Sequence, residues 1–147
     1  MNLRDLYQEV IVDHNRDPRN FHTMEKPCRC VNGFNPLCGD KITLFVKIEN
    51  DVIEQASFQG RGCAISTASA SLMTDALKGM PTADAKQLFE QFHEMVTSDA
   101  KELPASIKKL AVLGGVREYP ARVKCATLAW HTLMAALNET TEQVTTE

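Results

Sequence analysis

Leu3, Leu6, Tyr7, Val10 and Ile11 fall at helical spacing and predict one amphipathic helix over Leu3–His14, ended by the Asn15–Asn20 stretch with Pro18. Phe21 to Pro36, broken by two Pro and one Gly, reads as irregular or short extended chain. Ile42, Leu44, Val46 and Ile48 then alternate with outward positions, the period of a half-buried strand over Lys41–Ile48. Val52–Gln59 resumes the pattern after a turn at Asn50-Asp51, so an antiparallel hairpin is expected. Gly60-Arg61-Gly62 stops it. An Ala/Ser/Leu/Met-rich run to Lys78 predicts a helix opening just after Cys63 and stopping at Gly79. Further helices are expected over Asp84–Val96, with Leu88, Phe89, Phe92 and Val96 on one stripe, and over Ser106–Leu113. A break at Gly114-Gly115 follows, then a last helix over Ala121–Leu137 with Pro120 in its first turn. Residues 139–147 carry no apolar pattern and are expected to fray. No repeat or linker divides the chain, and one domain over 1–147 is expected.

Composition narrows the function classes. With 44% hydrophobic and 24% charged residues in 147, the chain has the profile of a soluble globular protein large enough to build a core without metal staples. The net charge of -3 lacks the basic footprint of a nucleic-acid binder. Apolar stretches stay short of signal-peptide or membrane-spanning length, so no membrane association and a cytoplasmic location are expected. Gly60-Arg61-Gly62 lacks the third glycine of a dinucleotide loop, and no nucleotide cofactor is expected. Five cysteines, an odd number, cannot all pair within one chain, which turns attention to metal or thiol chemistry.

Three of these cysteines sit where elements begin or end. Pro36 fixes φ ahead of Cys38, and Gly39 permits a tight turn, so the Cys38 thiol and the Asp40 carboxylate can face one centre. Cys63 precedes a helix, whose free N–H groups and dipole favour thiolate over thiol. Cys125 lies near the start of the last helix, with Arg122 and Lys124 beside it to offset the negative charge of a thiolate cluster. Three thiolates and a carboxylate would suit tetrahedral zinc, and thiolate-rich sites also suit iron–sulfur clusters; ligand type alone does not separate them. Each cysteine taken singly could equally be a small buried hydrophobe. Cys28 and Cys30 form a C-x-C without the paired C-x-x-C of a zinc ribbon and are read as incidental exposed or half-buried thiols rather than a second bite with Cys38. His14, His22, His93 and His131 show no metal-binding grouping and are assigned to surface or helix-face positions.

Asn35-Pro36-x-Cys38-Gly39-Asp40, Gly62-Cys63-Ala64-Ile65-Ser66-x-Ala68-Ser69-Ala70-Ser71 and Pro120-Ala121-Arg122-Val123-Lys124-Cys125-Ala126-Thr127-Leu128-Ala129-Trp130, in that order, resemble the IscU/SufU family of iron–sulfur assembly proteins. Leu6-Tyr7 to Asn20 resembles the family's opening helix. The resemblance implies an α+β fold, a small antiparallel sheet packed against several helices, with Cys38, Asp40, Cys63 and Cys125 gathered at one exposed end as metal ligands. Lys124 stands where IscU proteins have histidine, and Tyr119-Pro120-Ala121-Arg122-Val123-Lys124 replaces their Leu-Pro-Pro-Val-Lys chaperone motif; both departures resemble the SufU branch. For that branch the resemblance implies a zinc-dependent partner of a PLP-dependent, SufS-type cysteine desulfurase, not a free-standing enzyme. It would accept persulfide sulfur, with Cys38 expected as acceptor because Gly39 makes its loop the most mobile, and pass it to downstream iron–sulfur assembly proteins. The alternative implied is a scaffold for a transient [2Fe–2S] cluster.

Overall fold

The computed structural model describes residues 3–25, 28–97, 105–138 and 144–145. Helix α1 (Leu3–Arg16) leads to strands β1 (Arg29–Asn35), β2 (Asp40–Glu49) and β3 (Val52–Arg61). Helix α2 (Ala64–Leu77), the short strand β4 (Met80–Pro81), helix α3 (Thr82–Thr97), a 3-10 helix (Ala105–Glu118), helix α4 (Pro120–Leu137) and strand β5 (Val144–Thr145) complete the order. The sheet runs β4-β3-β2-β1-β5, antiparallel at every pairing except β1 with β5. This is the expected α+β arrangement, and its core lies between one sheet face and the helices: Leu44, Val46, Ile53 and Phe58 meet Met73, Leu77, Leu128 and Trp130.

The hairpin of β2 and β3 turns on Asn50 and Asp51, both with positive φ, the left-handed pair that matches strand twist in a two-residue loop. α2 is buried along most of its length, including Ser66, Ser69, Ser71 and Thr74, so its hydroxyls must find partners inside the fold. They do. Ser71 Oγ pairs with His14 Nδ1 at 2.7 Å and accepts from the Arg19 N–H at 2.8 Å, which docks the end of α1 on α2. Ser69 Oγ donates to the Ala126 carbonyl at 2.6 Å and accepts from Trp130 Nε1 at 3.1 Å, which fixes α4 against α2. Trp130 also stacks on Phe92 of α3 with centroids 4.4 Å apart, a pairing worth about 0.5–1.5 kcal/mol beyond area burial.

Three expectations change. The segment read as irregular or short extended chain contains the seven-residue strand β1, whose inward positions are Val31, Gly33 and Asn35. Two of the three are not apolar, so the alternation was hidden. Gly33 is small because α4 crosses there, and an added Cβ would run into Thr132 Oγ1. The expected break at Gly114-Gly115 is absent, and the 3-10 helix runs through both glycines. Leu110, Leu113 and Val116 are buried at intervals of three, which a three-residue turn keeps on one face. In the tail, Val144 and Thr145 pair with Gly33 and Phe34, while 139–143 and 146–147 lie outside the described residues. Of the surface and helix-face positions expected for the histidines, His14 takes the second, on the inner face of α1 and buried against Ser71.

Candidate metal centre

The β1–β2 connection is four residues long, and its ends, Asn35 and Asp40, face each other across the ladder. Gly39, at φ +72°, donates its N–H to the Asn35 carbonyl at 2.9 Å and closes the loop. This holds Cys38 exposed at the tip and turns Asp40, the first residue of β2, fully inward. Asp40 Oδ1 accepts from the Cys63 backbone N–H at 2.8 Å, and Oδ2 accepts from Asn35 Nδ2 at 3.0 Å. Gly62 makes that approach possible, because a Cβ there would sit 2.5 Å from Asp40 Oδ1.

Cys63 is the N-cap of α2, and its sulfur accepts from the Ser66 N–H at 3.4 Å. The predicted helix-start position therefore holds, with the thiol placed among the unpaired amides of the first turn. Cys125, buried in α4, donates to Cys38 Sγ at 3.2 Å and receives a contact from Asn35 Nδ2 at 3.5 Å. One ligand atom each from Cys38, Asp40 and Cys125 lies within 4.8 Å of the other two. Edges of about 3.8 Å between sulfurs, which follow from Zn–S bonds near 2.3 Å, fit inside that envelope after small side-chain rotations. Cys63 Sγ caps α2 instead of joining this tight trio, yet it is near enough to raise the Cys125 thiol's pKa.

Burial pushes the Cys125 thiol above its ordinary range, and hydrogen bonds with Cys38, Asp40 and Cys63 push the same way. The opposing influence is Arg122, one turn before Cys125 on α4. Its guanidinium is raised in pKa first by interaction with Cys125 and then by the negative charge of Cys63, Cys125 and Cys38. Lys124 adjoins Cys125 in sequence but lies about 100° around the helix from it. The centre is thus a graded pocket: Cys125 buried, Cys63 half-buried, Cys38 exposed, with a cation at the rim. Such a donor set fits a thiophilic divalent ion better than a hard one.

Cys28 and Cys30 lie far from this centre. Arg29 is opposite Val46 while Asn35 is opposite Asp40, so Cys30 stands five strand residues, about 17 Å, from the loop. Two residues escaped the reading of individual side chains. Asn35 was visible only as part of a motif, although its period-two position after Val31 and Gly33 would have placed it inward. Ser69, buried between α2 and α4, sets the height of Cys125 through its bond to the neighbouring Ala126, and nothing in a run of small residues marks it.

Residues 6–146 match the family described as the NifU-like N terminal domain. The zinc-dependent sulfurtransferase SufU of Bacillus subtilis is 41% identical over 90% of this chain and 89% of its own. The iron–sulfur cluster assembly scaffold protein IscU of Streptococcus pyogenes is 40% identical over 92% of this chain and 84% of its own. Among solved structures, a proposed iron–sulfur cluster assembly scaffold protein for the SUF system from Fervidobacterium islandicum superposes with TM-score 0.83 at 31% identity, covering 92% of this chain and 99% of that one. With that family matched over nearly all its length and SufU and IscU relatives at this level of identity, the chain belongs to the IscU/SufU family of NifU-like N-terminal domains.

Proposed function

We propose that this protein is an iron–sulfur cluster assembly protein that takes persulfide sulfur from a SufS-type, PLP-dependent cysteine desulfurase and carries it to downstream assembly proteins in the cytoplasm. It would work as one domain and as a partner in sulfur transfer. The observation that carries this reading is the convergence of Cys38, Asp40 and Cys125 from two distant parts of the chain, with one thiol exposed and the other thiol and the carboxylate enclosed. The 41% identity to a zinc-dependent sulfurtransferase supports zinc as the resident ion. Cys38, Asp40, Cys63 and Cys125 would hold it, Cys63 by rotating its sulfur from the α2 cap, with Arg122 and Lys124 offsetting charge. Bound zinc would keep these thiols deprotonated.

Cys38 is assigned as the acceptor. It is exposed on a glycine-flanked tip, whereas Asp40 is held by two hydrogen bonds and Cys125 is buried. Its thiolate attacks the terminal sulfur of the enzyme's persulfide. One S–S bond breaks as another forms, the enzyme's cysteine leaves as thiolate, and Cys38 carries the persulfide. Leu37 and Tyr119, large and exposed at the tip and at the start of α4, fit a partner that covers this end during transfer. Metal and acid-labile sulfide analysis of anaerobically purified protein, with desulfurase turnover measured with and without it, tests the proposal. One zinc per chain, no sulfide and strong stimulation are expected. A Cys38→Ser protein that still became persulfidated and still stimulated would overturn the acceptor assignment.

A second reading, a scaffold for a [2Fe–2S] cluster, is favoured by the 40% identity to an IscU scaffold protein. Equal iron and sulfide with a visible chromophore and little stimulation would select it. Lys124 in place of histidine favours the sulfur carrier, since it removes one possible cluster ligand.

A further inference from the structure

Asn35 touches the Cys38 loop, Asp40 and Cys125. Its backbone carbonyl closes the loop that carries Cys38, and its side-chain nitrogen lies 3.0 Å from Asp40 Oδ2 and 3.5 Å from Cys125 Sγ, a residue 90 positions away. The amide has two protons and meets two acceptors. Its other atom, Oδ1, is buried with no hydrogen-bond partner among the described residues. An orphaned buried carbonyl is costly, and an apolar side chain at this inward end of β1 would avoid it. The amide is therefore out of place as packing, and its donor end accounts for its presence.

We propose that Asn35 is a positioning residue of the metal centre, whose amide N–H groups tether Asp40 of the hairpin and Cys125 of α4 at bonding distance from one ion. The inference rests on the reading of this cluster as a cation site. The Asp40 carboxylate is an anionic acceptor with or without an ion, whereas Cys125 becomes one only as thiolate, so the hydrogen bond to its sulfur strengthens in the bound form. A donor that stabilises the bound form more than the free form raises affinity, and a residue that only fills space does not.

Asn35→Leu removes the donors at similar volume. Zinc dissociation constants of the full chain are read by competition with a chromophoric chelator, coordination geometry by the cobalt(II) visible spectrum, and packing by thermal unfolding of the metal-free protein. Asn35→Leu is expected to weaken zinc about 10- to 100-fold. On an Asp40→Ala background the Leu substitution should cost clearly less than it does alone, since half of its effect runs through that carboxylate. Asn35→Ala carries the same prediction if Leu overfills the site. Affinity within about twofold of wild type for both Asn35→Leu and Asn35→Ala would overturn the proposal. A wild-type chain that bound neither zinc nor cobalt would overturn the cation reading itself and this inference with it, a result distinct from that one.

Discussion

Gly62→Ala tests whether the centre depends on close approach of backbone to Asp40. The new Cβ would lie 2.5 Å from Asp40 Oδ1 and 3.1 Å from its Cβ and Cγ, where ordinary contact begins at 3.4 Å. The carboxylate is buried and held from the other side by Asn35, so it has little freedom to yield. A retreat of about 0.9 Å takes Oδ1 out of range of the Cys63 N–H, now 2.8 Å away. A hydrogen bond to a buried charged group is worth about 1.5–3 kcal/mol, which converts to a loss of about 10- to 150-fold in affinity for an ion that uses this carboxylate. Chelator competition for zinc supplies the affinity and urea unfolding of the metal-free protein supplies the stability. Gly115→Ala, where an added Cβ meets nothing within 4 Å, is the control for generic glycine loss. A Gly62→Ala protein with wild-type zinc affinity would refute the placement of Asp40 as a fixed part of the site.

Ser69→Ala should leave the Trp130 indole N–H without its buried acceptor and take a second hydrogen bond from the Ala126 carbonyl, costing about 1–3 kcal/mol in urea unfolding and shifting Trp130 emission. His14 and His131 have pKa values lowered from 6.5, first by burial and then by Arg19 and His93 respectively. The unfolded chain binds these protons more readily, so the stability is complete above 6.5 and is lost as pH falls through the lower folded values. Urea midpoints should drop on the acid side of neutrality, and His131→Gln should flatten that slope. Leu37→Ala and Tyr119→Ala should reduce stimulation of a SufS-type desulfurase while zinc content stays unchanged, as expected for exposed side chains that meet a partner and not the core.

By itself the sequence determined the elements whose pattern is local. Period-two alternation placed β2 and β3, paired left-handed residues at Asn50 and Asp51 marked their turn, and apolar stripes with Gly79 and Pro120 as punctuation placed α2, α3 and α4. It also singled out Cys38, Asp40, Cys63 and Cys125, because thiols beside glycines, prolines and helix starts have a chemistry that neighbouring residues reveal. Tertiary structure decided the rest. β1 is a strand because β2 offers it a ladder and α4 leaves room only for Gly33, neither of which lies within the segment itself. β5 exists because β1 has an open edge. Asn35 acquires its role only when Cys125 is brought in from the far end of the chain, and Ser69 only when α4 lies across α2. Hydrophobic period and turn chemistry are written residue by residue, whereas a buried polar group is defined by the partner that satisfies it, and that partner is supplied by the fold.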